Sequence, residues 1–217
     1  MSDLKICSVN CRGIGEYRKR KDVFNYLRKL DYNIFLLQDV HCSQEKVSSF
    51  RNMWGTDIIV APHTHNSRGV AILTKNVDVN FESAISDENG NYIIVKATIN
   101  RCFEIVIANV YGPNTDSPAF FETIEDLCLE RAGENTPVLI AGDLNIALNS
   151  QLDTHNYMRE NNIRANNQIV KVMNDNSMID VFREMHGSTK RYTWRVRLST
   201  ITTTCIKASQ ARLFLSV

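Results

Sequence analysis

The chain has 217 residues, 43% of them hydrophobic, and a formal net charge of +1. That length suits one large domain or two small ones with a sizeable core, and the near-neutral balance gives no overall polyanion-binding signal. No apolar run is long enough to span a membrane, so no membrane partner is expected.

Six cysteines without a CxxC pair argue against zinc. With only a short apolar stretch beside Asp3 and Lys5, the N-terminus does not read as a secretory leader. Reduced core thiols in a nuclear or cytoplasmic protein are the expectation.

In chain order, Leu4 to Asn10 reads as a strand and Lys21 to Leu30 as a helix, with Val23, Phe24, Leu27 and Leu30 at helical spacing. Just before that helix, Arg18, Lys19, Arg20 and Lys21 form a basic cluster, read equally as solvated surface or as nucleic-acid contact. Asn33 to Val40 is a near-continuous apolar run, as in a strand buried on both faces. A weaker helix follows over Ser43 to Met53 with Ser43 as cap.

Asp57 to Ala61, Gly69 to Thr74, Val77 to Ser86 and Tyr92 to Ile99 read as strands, the last two joined by a hairpin through Asn89-Gly90. Phe103 to Tyr111 runs into the turn Gly112-Pro113-Asn114. The span Ser117 to Ala132 is a helix with a serine cap and a first-turn proline. Val138 to Leu144 is a strand and Arg164 to Asn174 a helix.

Hairpins mixed with crossover helices indicate one α/β domain with mixed sheets over residues 1–195. Residues 196–217 form an atypical tail. After Glu184 no acidic residue occurs, and Ser199 to Thr204 has strand propensity without a core pattern.

Several apolar runs end in polar groups. Ser8-Val9-Asn10-Cys11-Arg12-Gly13, Leu37-Gln38-Asp39-Val40-His41, Asn109 to Asn114 and Gly142-Asp143-Leu144-Asn145 would meet at one rim of a sheet sandwich. In the last, the period of two puts Asp143 and Asn145 on one face. A carboxylate beside a carboxamide accepts a proton or a cation and also donates to an anion, which suits phosphate-ester chemistry. Singly, each ending reads as readily as a turn: Asn10 as a turn former, Tyr111 as an aromatic packed on Pro113.

The order of these blocks resembles the endonuclease/exonuclease/phosphatase superfamily, closest to the apurinic-type endonuclease domain of LINE-like non-LTR retrotransposons. Arg68-Gly69-Val70-Ala71-Ile72-Leu73, Met178 to Arg183 and Tyr192-Thr193-Trp194 resemble further landmarks of that group, in its order. The resemblance implies a four-layer, DNase-I-like sandwich of two mixed β-sheets flanked by helices. It implies a Mg²⁺-dependent (or Mn²⁺-dependent) endonuclease whose partner is DNA. A reverse transcriptase domain would accompany it in the parent polyprotein.

By position, the resemblance places Asp39 as metal ligand, with Asn10, Tyr111, Asp143 and Asn145 as catalytic groups. Arg12, His41 and Thr193 fall at DNA or phosphate contacts, while Asp180 reads as a structural helix-end partner.

Two departures stand out. Asp39 replaces a glutamate and reaches about 1.5 Å less far. The tail Arg212 to Val217 resembles a penultimate strand with its Asp-aromatic pair deleted, and no histidine follows His186. The chain therefore reads as C-terminally incomplete, with an open sheet edge, a tendency to associate and impaired activity. A catalytically dead remnant that binds nucleic acid, or another phosphoesterase of the superfamily, is the alternative.

Overall fold

The computed structural model describes residues 4–55, 58–153 and 162–190 in full, and the backbone of 194–195, 198–199, 202–206 and 212–216. The chain runs β1 (Leu4–Asn10), α1 (Tyr17–Lys29), β2 (Ile34–Gln38), α2 (Val47–Trp54), β3 (Ile58–Ala61), β4 (Val70–Thr74) and β5 (Val79–Ser86). It continues through β6 (Tyr92–Ile99), β7 (Phe103–Tyr111), α3 (Pro118–Arg131), β8 (Val138–Asp143), α4 (Ser150–Asp153) and α5 (Ile163–Asp175). Last come β9 (Ile179–Asp180), α6 (Val181–His186), β10 (Trp194–Arg195), β11 (Leu198–Ser199), β12 (Thr202–Ile206) and β13 (Arg212–Ser216).

Two mixed sheets result, in the orders β12-β1-β2-β4-β3 and β5-β6-β7-β8-β13-β9, and β10 and β11 form a separate antiparallel pair. Side-chain alternation sorts the core into three layers. Ile6, Leu36, Ile72, Ile93, Val95, Ile107 and Leu139 face inward between the sheets. On the outer face of the first sheet, Cys7, Phe35, Leu37 and Leu73 pack under Phe24 and Leu27 of α1 and Phe50 of α2. On the outer face of the second, Val106, Val110 and Ile140 meet Phe121 and Ile124 of α3 and Ile169 of α5. This is the four-layer sandwich that the resemblance implies.

Several elements depart from the sequence reading. α1 begins at Tyr17 because Glu16 caps it, its carboxylate accepting the Arg18 and Lys19 amides at 2.9 Å each. Arg20 of the basic cluster is buried, donating to the Ile14 and Gly15 carbonyls and to Ser49 Oγ and lying over the Phe50 ring. Neither Ser43 nor Ser117 makes a side-chain cap bond. Asp180 is the helix-end partner expected of it, accepting the Arg183 amide at the start of α6.

The tail also joins the sheets: β12 pairs antiparallel with β1, and β13 lies parallel between β8 and β9. The flank of β8 is thus covered by β13. Cys7, Cys11, Cys42 and Cys128 are buried free thiols, as expected of core cysteines, whereas the free thiol Cys102 is exposed.

Candidate active site

The same alternation that builds the inner core delivers the site. Along β1 the inward positions run Leu4, Ile6, Ser8 and Asn10; along β7 they run Ile105, Ile107, Asn109 and Tyr111; along β8 they run Leu139, Ala141 and Asp143. The strands β1, β2, β7 and β8 end side by side at one end of the sandwich, as their parallel registers require. The apolar interface between the sheets therefore opens into a polar rim.

Asp39 breaks this parity. It follows Gln38, and an extended backbone would aim it outward with Leu37, toward the helices. Its φ of 52° is left-handed instead, and the turn brings its carboxylate within electrostatic reach of Tyr111 and Asp143. Asp39 Oδ1 accepts from the Arg68 backbone amide at 3.1 Å and bonds His41 Nε2 at 2.9 Å.

Asp143 is the best-held member. Asn10 Nδ2 donates to its Oδ2 at 2.5 Å and the Asn145 amide to its Oδ1 at 3.1 Å. Burial pushes its carboxyl pKa above the ordinary aspartate value, and the Asp39 charge pushes the same way, whereas the Asn10 and Asn145 bonds and Arg12 pull it back. Gly142 permits the close packing here: a Cβ on it would lie 1.9 Å from the Val110 carbonyl oxygen, at a φ of +143°.

Asn145 does not share the strand face of Asp143. β8 ends at Asp143, and Asn145 has a φ of 54° in the turn beyond. It reaches the site through that turn, with Nδ2 donating to the Gly112 carbonyl at 2.7 Å.

Tyr111 is half-buried beside both carboxylates. Burial first, then Asp39 and Asp143, push its phenol up to about 12, with Arg68 and Asn145 opposing. The hydroxyl is therefore a proton donor across the working pH range.

Arg12 is exposed at the rim with a φ of 46°, its amide donating to Asn10 Oδ1 at 3.0 Å. Thr193 lies outside the described residues. Arg68, Gln38 and Asn109 belong to this end of the molecule but carried no role in the sequence reading. The available signal was parity: Gln38 and Asn109 are polar residues at inward positions of otherwise apolar strands.

The donor set is oxygen-rich and sparse. No group of three or more His, Cys, Asp or Glu residues that could hold a metal occurs among the described residues. Asp39 Oδ2 accepts no hydrogen bond from a described residue, and the Asn10 carboxamide stands at the neighbouring strand end. One carboxylate and an amide oxygen suit a hard divalent cation that keeps most of its waters, and do not suit zinc.

The sequence pattern of the Endonuclease/Exonuclease/phosphatase family matches residues 7–204. The chain belongs to that family. Its members are hydrolytic nucleases and phosphatases, so phosphoester hydrolysis is the chemistry of the fold.

Solved structures share the architecture. An AP endonuclease from Leishmania major superposes with a TM-score of 0.69 at 14% identity, covering 91% of this chain and 74% of its own. An AP endonuclease from Archaeoglobus fulgidus gives 0.68 at 20%, covering 90% and 79%. A 3'-5' exonuclease, NExo, from Neisseria meningitidis gives 0.63 at 22%, covering 91% and 81%. At such identities the likeness speaks for the fold, and the family assignment rests on the sequence match. No helix among the described residues is long and apolar enough to cross a membrane.

Proposed function

We propose that this family member is a divalent-metal-dependent DNA endonuclease, of the kind that nicks target DNA for retrotransposon insertion. The observation that carries the reading is the buried, doubly hydrogen-bonded Asp143 beside Asn10, with the Asp39 carboxylate and the Tyr111 hydroxyl facing it.

Asp39 and Asn10 would hold the cation, Mg²⁺ or Mn²⁺, through oxygen and bridging water. Bound there, it would supply positive charge to the phosphate. Asp143, oriented by Asn10, takes a proton from the attacking water, a role its raised pKa favours near neutral pH. Tyr111 donates its hydroxyl to a phosphate oxygen as negative charge builds there. The bond to the leaving oxygen breaks, and that oxygen takes a proton from solvent.

Asn145 holds the strand-end turn and presents its remaining amide hydrogen to the phosphate. Arg12 and Thr193 contact the DNA backbone. His41 acts chiefly through Asp39, to which it is bonded.

The retrotransposon assignment, and with it a reverse transcriptase in the parent polyprotein, rests on the ordered blocks from Ser8 to Trp194. Nuclease and phosphatase chemistry share this family, so a substrate panel separates them. Supercoiled plasmid, an abasic duplex and p-nitrophenyl phosphate are compared under Mg²⁺ and under EDTA. Mg²⁺-dependent nicking of plasmid without monoester hydrolysis is expected. Cleavage of the monoester alone sinks the endonuclease reading.

A further inference from the structure

Directly beneath the rim, the largely apolar inner interface of the sandwich carries a polar layer. Ser8, Gln38 and Asn109 are each 0% exposed there. Gln38 Nε2 donates across the interface to Asn109 Oδ1 at 2.7 Å and, within its own sheet, to Ser8 Oγ and the Leu36 carbonyl at 3.0 Å each. Asn109 Nδ2 donates back across it to the carbonyls of Leu37 (3.1 Å) and Ala71 (2.9 Å). Asn109 belongs to the second sheet, and its partners belong to the first.

Leu37 and Ala71 are the last residues paired in the β2–β4 ladder. Beyond them the chain kinks at Asp39, and pairing resumes with the Val40 amide on Gly69 and the His41 amide on Arg68. The Asn109 carboxamide thus sits where the ladder breaks. It satisfies two carbonyls beside the kink, which buried backbone requires. A left-handed non-glycine residue persists only where its surroundings over-determine it.

The donors also fix the network's direction. A flipped Asn109 would aim its oxygen at two carbonyls, so Gln38 must donate to it. That choice leaves Gln38 Oε1 buried without a partner among the described residues. A methionine there would remove that oxygen but would leave the buried Asn109 Oδ1 without its donor.

We infer that Gln38 and Asn109 are positioning residues: their cross-sheet bridge holds Asp39 in its left-handed turn and sets its place relative to Tyr111 and Asp143. Each sits one or two residues before the group it places. Gln38 precedes Asp39, Asn109 precedes Tyr111 by two, and Ser8 precedes Asn10 by two. Neither amide touches the reacting atoms, since both are sealed beneath the rim. The inference rests on the phosphodiesterase reading of the site.

The test uses the full chain with the Gln38→Met and Asn109→Leu variants, singly and together. Steady-state nicking of supercoiled plasmid under Mg²⁺ is expected to lose at least tenfold in kcat for each single variant, with KM within threefold. The double variant should be no more than threefold worse than the poorer single, because the two amides act as one unit.

Crystal structures of the variants provide a readout independent of turnover. Asp39 is expected to leave the left-handed region or to lose the Arg68 amide. Should Asn109→Leu fail to fold, Gln38→Met decides alone, because it keeps both Asn109–carbonyl bonds. Wild-type kcat in Gln38→Met, or Asp39 unmoved in its structure, overturns the inference. If the unaltered chain cleaves no phosphodiester, the functional reading falls, and the position of Asp39 in the variants still decides the bridge.

Discussion

The two ends of the sandwich are built from the same strands and close the same apolar interface, yet they solve the problem differently. At the end away from the site the strands finish in ordinary turns. Asn100 and Arg101 take positive φ in the β6–β7 hairpin, and the ion pairs there, Lys5 with Asp31 and Arg101 with Asp78, are exposed. At the rim, five non-glycine residues take positive φ: Arg12, Asp39, His41, Arg68 and Asn145. Each of them bonds, or electrostatically senses, a carboxylate of the site. Strained backbone that aims polar groups at one point marks a functional end, and a plain hairpin marks a structural one.

The sharpest way to break that contrast is to remove a neutral group at the rim and a charged one at the far end. Asn10→Ala takes the donor from Asp143 Oδ2 and is expected to lower kcat by roughly 10²–10³-fold, the scale of losing one organising polar group. Asp78→Ala should change it less than about twofold, as an exposed ion pair contributes little. Equal losses in a plasmid-nicking assay would erase the distinction between the ends.

A stability comparison comes next. Arg20 and Lys75 both clamp loop carbonyls, Arg20 those of Ile14 and Gly15 behind the rim, Lys75 those of Arg28 and Leu30 at the far end. Arg20 is buried, so Arg20→Ala strands acceptors and is expected to cost roughly 2–4 kcal/mol in urea unfolding. Lys75→Ala, at a half-buried site, should cost about 1 kcal/mol or less. A reversed order would mean that the loop behind the rim is held by something other than Arg20.

The smallest expected effect is in the pH profile. Asp143 acts as a base only when ionised, and burial raises its pKa, so the acid limb of kcat should fall above the ordinary aspartate value of about 3.9. The Asn10 bond stabilises the carboxylate. Removing it in Asn10→Ala must move the limb further up, toward neutral pH. A limb that stays put or moves to lower pH would show that another group sets it.

How much of this was legible in the sequence depended on which physical rule governed each residue. The bounds of β6 and β7 are legible because turn residues flank them, Asn89-Gly90 ahead of β6 and Gly112-Pro113 after β7. The four polar strand endings were legible because apolar runs that stop in Asn, Asp or Tyr stand out against the core pattern. Asp39 could be named but not aimed, since its orientation depends on a backbone angle that parity forbids.

Arg20 looked like surface charge because periodicity counts only apolar residues, and a guanidinium stacked on Phe50 obeys a different rule. The Gln38–Asn109 bridge joins residues 71 positions apart, and no local pattern announces a partner at that distance. The strand character of Arg212 to Val217 is legible by resemblance, but its pairing is not, because β13 owes its place to the distant β8 and β9.

One measurement bears most directly on the rim as a hydrolytic site. The full chain is incubated with supercoiled plasmid under Mg²⁺, under EDTA, and again as Asp143→Ala and Asp31→Ala. Nicking that requires Mg²⁺, survives Asp31→Ala and disappears in Asp143→Ala is the expected result. Nicking that persists in Asp143→Ala, or none at all by the unaltered chain, would contradict it.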